Sequence, residues 1–160
     1  MDLQVDGKTV FYASGGRAPD AGQPSVIFIH GAGADHTAWV LQTRYFAYHG
    51  RNVLAIDLPG HGRSEGPAIA TIGGLADWLM QLLDAAGLEK AALVGHSLGS
   101  MVALEAAARE PERVWAIALL GTAIPMAVSD GLLAAAKAND PVAFDMITIW
   151  AHGAQAQIGR

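Results

Sequence analysis

No cysteine occurs among the 160 residues, aromatic side chains make up 7% of them and charged ones only 16%. Without cysteine there is no disulfide framework and no thiolate metal centre. Basic residues are scarce as well. Ten Lys plus Arg stand against fifteen Asp plus Glu, a net charge of −5, and no Lys/Arg cluster interrupts that deficit. The electrostatic footprint of a nucleic-acid or anionic-membrane partner is therefore absent. No apolar run reaches the roughly 20 residues that a spanning helix requires. Met1 is followed by Asp2 and Gln4, not by a basic segment and an apolar core, so no secretory signal is visible and a soluble, cytoplasmic protein is expected. What the chain has in quantity is apolar residues, at 52%, which excludes disorder and predicts one packed domain.

The opening residues alternate, Leu3, Val5, Val10 and Tyr12, around the turn pair Asp6-Gly7, and predict an antiparallel hairpin. Residues 14–24 read as a loop with nothing to pack. Beyond them, short apolar runs alternate with longer helical stretches, the pattern of parallel β-α-β construction with strands buried on both faces. The buried strand candidates are 26–29, 53–56, 91–94 and 114–120. Helices are expected over 37–49, ending at Gly50, over the stripe Ile72, Leu75, Leu79, Leu82 and Ala86 between a Thr71 cap and Gly87, and over 97–109, stopped by Pro111. After Leu120 the alternation fails. Residues 127–138 form an Ala/Leu helix, and Asp140-Pro141 opens another through Trp150.

Gly95-His96-Ser97-Leu98-Gly99 fits G-x-S-x-G, a weak signal alone. Its setting strengthens it, because it follows the run Ala91 to Val94 directly and precedes a helix directly, as a nucleophile elbow must. A tight strand-to-helix turn strains its central residue, and Gly95 and Gly99 remove side chains that would collide across it. Ser97 Oγ is thereby presented at a helix N-terminus, where free N–H groups favour developing negative charge. The Leu98 N–H is one expected oxyanion donor. His30-Gly31-Ala32-Gly33, directly after the strand at 26–29, is a loop of small residues that offers the Ala32 N–H as the second. His30, Gly31, Gly33, Gly95, His96 and Gly99 are expected to support these groups. Asp57-Leu58-Pro59-Gly60-His61-Gly62-Arg63-Ser64 is dense in turn formers and reads as a structural loop, with His61 and Arg63 bracing it. No His-x-x-x-His pair on a helix and no phosphate-binding glycine pattern is present, so neither metal nor cofactor is expected. Trp39, Phe144, Met146 and Trp150 are read as core or cap-contact residues, some of which could line an apolar pocket.

Through these three motifs in this order the chain resembles the α/β-hydrolase family, in particular its cap-bearing esterase-like members. The resemblance implies a mostly parallel sheet flanked by helices and a Ser-acid-His triad in that chain order. It also implies a core over 1–124, with a helical cap beginning at 125–160. In such members the acid and the histidine follow the cap, whereas only 63 residues follow Ser97 here. The chain therefore reads as the N-terminal half of a hydrolase of roughly 250 residues or more. Asp130, Asp140 or Asp145 with His152 would satisfy the same chain order. The expected activity is hydrolysis of a small acyl substrate, a carboxylic ester or a related compound. A carbon–carbon-bond hydrolase or a perhydrolase can also retain serine, while dehalogenases and epoxide hydrolases of the family use a carboxylate nucleophile. The contrasting reading is a non-catalytic fragment or ligand-binding module on the same scaffold. The last strand should expose an edge, so self-association or cover by a missing C-terminal half is expected.

Overall fold

Six strands form one sheet in a computed structural model of the chain, which describes residues 1–151. They are β1 (Asp2–Val5), β2 (Lys8–Ala13), β3 (Ser25–Ile29), β4 (Asn52–Ile56), β5 (Ala91–His96) and β6 (Val114–Leu120), in the spatial order β1-β2-β4-β3-β5-β6. The hairpin β1-β2 is antiparallel and turns at Asp6 and Gly7, both at positive φ. It joins β4 antiparallel, and β4-β3-β5-β6 are parallel throughout. Every residue of β3 and β4 is buried, as continuous apolar runs in a doubly covered sheet should be.

Alternate residues on these strands feed two cores. Ile27, Ile29, Leu54, Ile56 and Leu93 face the helices α2 (Ile72–Ala85) and α3 (Leu98–Arg109). Val26, Phe28, Val53, Ala55 and Ala92 face the other way, against Trp39 and Ala47. Side chains of this size contribute about 1.5 to 3 kcal/mol each when fully buried. α2 begins where predicted: Thr71 Oγ1 accepts from the Gly74 N–H at 3.1 Å, and Leu75, Leu79, Leu82 and Leu83 form its buried stripe. The helix expected over 37–49 starts as a 3-10 turn, His36–Trp39, capped by Asp35, and becomes helical as α1 (Val40–Tyr48).

Two expectations need correction. Residues 14–24 do pack, through an absence: a Cβ on Gly15 (φ +69°) would collide with the Thr43 carbonyl and Ala47 of α1. β6 is a strand, as its apolar run predicts, but it is not buried. Only Val114 is covered, while Trp115, Ile117 and Leu120 are 48%, 41% and 42% exposed. The register with β5 gives the reason, since Ala116 and Ala118 lie beside Ala92 and Val94 at the sheet edge, where no further strand follows among the described residues.

The chain divides into two compact units, the first ending at Thr122 and the second beginning at Ala123. The second contains α4 (Asp130–Lys137) and α5 (Val142–Ala151). Ser129 caps α4, which is shorter than the 127–138 expected because its cap fixes the start. Asp140 Oδ1 accepts from the Val142 N–H at 3.0 Å at the start of α5. Phe144 and Trp150 are exposed at 62% and 57%, unlike the buried Trp39. No helix among the described residues is long and apolar enough to cross a membrane.

Candidate active site

β5 delivers Ser97 to a sharp corner. Its φ of +52° and ψ of −117° are rare for any residue with a side chain and cost of order 1 to 3 kcal/mol. The corner is held from both directions. The Ser97 N–H donates to the Leu120 carbonyl at 2.9 Å, extending the β5-β6 ladder one step, and the Ser97 carbonyl accepts from the Ser100 N–H at 2.9 Å and Ser100 Oγ at 2.6 Å. The flanking glycines are there for space. A Cβ on Gly95 would collide with the Gly99 carbonyl, and one on Gly99 would collide with the carbonyl of Ile29 and lie 2.7 Å from that of His30. Backbone thus approaches backbone on both sides of the serine, which is itself partly exposed.

The loop after β3 lies against this corner. A Cβ on Gly31 would stand 3.2 Å from Ser97 Cβ and 3.1 Å from His96 Nδ1. Ala32 and Gly33 are exposed, and Gly33 adopts φ +71°. Among the described residues, neither the Ala32 N–H nor the Leu98 N–H at the first turn of α3 donates to a protein acceptor. The Leu98 amide, at a helix start, is unsatisfied by construction and suits an anion. His96 lies between two glycines, its Nδ1 edge toward Gly31 and its Nε2 edge toward Gly121, whose φ is +61°. It is wedged beside the serine and forms part of the packing around the corner.

The structure therefore brings Ser97, Leu98, Gly31 and His96 together. Beyond this group, His30 is fully buried, with Nδ1 2.8 Å from the Gly31 carbonyl and Nε2 accepting from the Leu58 N–H at 3.0 Å. Burial, first among several causes, holds its pKa below the usual histidine range. His61 and Arg63 belong to the 57–64 loop: His61 Nδ1 is 3.0 Å from the Pro59 carbonyl, and the Arg63 guanidinium lies 3.8 Å over the Phe11 ring. Asp130, Asp140 and Asp145 lie in the second unit, and His152 lies outside the described residues.

The family model for the alpha/beta hydrolase fold matches residues 24–151. The chain belongs to the α/β-hydrolase family. Its relatives include the dihydrolipoyllysine-residue acetyltransferase component of the acetoin cleaving system of Cupriavidus necator, 37% identical over 82% of this chain and 35% of that protein. The 2-hydroxymuconate semialdehyde hydrolase of Pseudomonas sp. is 40% identical over 70% of this chain and 41% of that protein. Among solved structures, an N-acyl homoserine lactone degrading enzyme superimposes on 100% of this chain and 61% of its own, with a TM-score of 0.80 and 29% identity. Epoxide hydrolase A from Mycobacterium thermoresistibile covers 74% of this chain and 37% of its own, with a TM-score of 0.67 and 33% identity. The chain spans between 33% and 42% of the length of the curated relatives it matches.

One pair in this α/β-hydrolase site escapes the sequence. Asp57, fully buried at the end of β4, accepts from the His36 N–H at 2.7 Å, from His36 Nδ1 at 2.9 Å and from the Arg63 N–H at 2.9 Å. Gly62, at φ +53°, lets the chain fold over this carboxylate, into which a Cβ would run. Asp-x-x-x-x-Gly after a buried strand was the available signal, but His36 is 21 residues distant and carries no mark of the pairing. With Asp35 these two form the one trio of potential metal ligands within 4.8 Å among the described residues. Both Asp57 oxygens are already committed to protein donors, and Asp35 Oδ1 is held by the Thr37 N–H at 2.8 Å. The trio is a brace that ties the loop after β3 to the loop after β4.

Proposed function

We propose that this chain carries the nucleophile half of a serine hydrolase acting on carboxylic esters or related acyl compounds. Supporting the reading is the Ser97 corner at φ +52° with the glycine loop 31–33 against it and two amides that donate to no protein acceptor among the described residues. Ser97 Oγ attacks the acyl carbonyl, and its proton passes to a histidine base oriented by a carboxylate, as a Ser-acid-His triad requires. The carbonyl electrons move onto oxygen, which the Ala32 and Leu98 amides receive. Each such donor is worth about 3 to 4 kcal/mol in the transition state. Expulsion of the alcohol leaves an acyl-serine that water hydrolyses. An epoxide opened by the same oxygen would leave a serine ether, which water cannot turn over, so the likeness to epoxide hydrolases extends to the scaffold and not to the chemistry.

The semialdehyde hydrolase relative favours a second reading, in which the same serine cleaves a carbon–carbon bond next to a ketone. Ser97 and the oxyanion amides keep their roles there, with carbon as leaving group. An organophosphonate probe tests the nucleophile in either case. The intact protein should become covalently labelled at Ser97, and Ser97→Ala should abolish the label. Absence of labelling in the intact protein would favour a non-catalytic binding module instead.

A further inference from the structure

His30 is fully buried beside the site, and both of its ring nitrogens are spoken for. Its partners fix its chemical form. The Gly31 carbonyl, 2.8 Å from Nδ1, can only accept, so Nδ1 carries the hydrogen. The Leu58 N–H, 3.0 Å from Nε2, can only donate, so Nε2 carries the lone pair. The imidazole is therefore neutral, in the Nδ1–H form, and spans the loop after β3 and the loop after β4. The consequence lies one peptide further on. In a planar trans peptide the C=O and the next N–H point in opposite directions. A Gly31 carbonyl drawn inward to His30, and also accepting from the Ala34 N–H at 3.2 Å, turns the Ala32 N–H outward on the exposed side of the loop.

We propose that His30 is a positioning residue whose neutral ring aims the Ala32 amide, and that its protonation releases that amide and disarms the site. This rests on the oxyanion role proposed for Ala32. A second proton would enter at Nε2, where it would face the Leu58 N–H donor to donor. The bond to Leu58 must then break, and the 30–33 loop loses its tie to the loop after β4. The ionisable groups around the ring pull in both directions. The His61 ring, 5.2 Å away on the 57–64 loop, opposes a second cation, while Asp57 at the end of β4 and Asp35 ahead of α1 favour one. Asp57 is itself occupied by His36. Burial outweighs the carboxylates, so the folded protein takes up this proton less readily than the unfolded chain does. The sign follows: the stability contributed by the neutral ring is complete above the ordinary histidine value of about 6.5 and is lost as the pH falls below it toward the depressed folded value.

Nitrogen-15 NMR of the chain, titrated from neutral to acid, reads the ring directly and requires no activity. The expected spectrum shows His30 with Nδ1 protonated and Nε2 unprotonated at neutral pH. Protonation should fall below the ordinary histidine range, and the Leu58 and Ala32 amide resonances should move with the same midpoint. An Nε2–H tautomer, or Leu58 and Ala32 amides that ignore the His30 titration, would overturn the proposal. In the intact protein, His30→Leu should slow phosphonate labelling about tenfold or more, and His30→Asn, which restores a donor to the Gly31 carbonyl, should recover much of it. Equal labelling in both variants and the parent would likewise overturn it. If Ser97 takes no label in any form while the ring titration behaves as expected, the oxyanion reading fails and the strut itself survives.

Discussion

Gly99→Ala isolates the close approach on which the serine corner depends. Gly99 lies in the first turn of α3 at an ordinary helical φ, so alanine meets no conformational barrier there and gains about 1 kcal/mol of helix propensity. Any loss is therefore steric. The added methyl would overlap the Ile29 carbonyl and stand 2.7 Å from that of His30, whereas carbon and carbonyl oxygen settle at about 3.3 to 3.6 Å. α3 must retreat from β3 by something near 1 Å. That loosens the buried contacts of Val102, Ala103 and Ala106. Overpacking of this kind costs up to about 3 kcal/mol. Both colliding groups are backbone, so the upper end applies, and the net loss is about 2 kcal/mol. For a chain of this length, 1 kcal/mol moves Tm by about 2 to 4 °C, which predicts a drop of about 4 to 8 °C. Urea unfolding with an unchanged m-value is the assay. Gly73→Ala is the control, because its methyl would meet only the movable end of Arg109, 2.6 Å away, and the variant should be neutral or slightly stabilised. A Gly99→Ala midpoint equal to the parent, or a Gly73→Ala loss of the same size, would refute the steric account.

Asp57→Asn turns an amide N–H₂ toward donors that now share a carboxylate, and a buried donor left without an acceptor costs about 1 to 3 kcal/mol. A fall in unfolding free energy of about 2 kcal/mol is expected, against under 1 kcal/mol for Asp77→Asn, whose partner Arg109 is an exposed pairing. Equal effects in denaturant titrations would remove Asp57 from its bracing role. The long, uncharged β6 edge predicts concentration-dependent association in sedimentation velocity, reduced by Ile117→Lys. A chain that sediments as a single monomer at all concentrations would contradict this.

The parts of the fold legible in the sequence are those with a local cause. The Asp6-Gly7 turn, the Thr71 cap and the buried runs of β3 and β4 each announce themselves within a few residues, and the Gly95 to Gly99 pattern placed the corner because strand and helix adjoin it directly. The missed features depend on residues distant in sequence. The apolar run of β6 by itself reads as a buried strand, and its exposed faces follow from its place at the edge of the sheet among the described residues, which the family resemblance and not the run suggests. Gly15 has no side chain to advertise its contact with Thr43. The His36-Asp57 pair and the two partners of His30 join loops that only the fold brings together.

The sheet order also explains why the serine corner and the glycine loop fall together. From β3 the chain crosses to β4 on one side, whereas from β5 it continues to β6 on the other. α1 accordingly packs on one face of the sheet and α3 on the opposite face. The connections leaving the carboxyl ends of β3 and β5 therefore diverge, and adjacent parallel strands with diverging exits open a crevice at their ends. Residues 30–33 leave β3 there and Ser97 leaves β5 there, so the amides and the hydroxyl border that crevice as a result of topology, with Gly31 and Gly99 supplying the closeness. Substitutions that preserve strand order but fill either glycine should leave the crevice in place and misalign the groups on its rim.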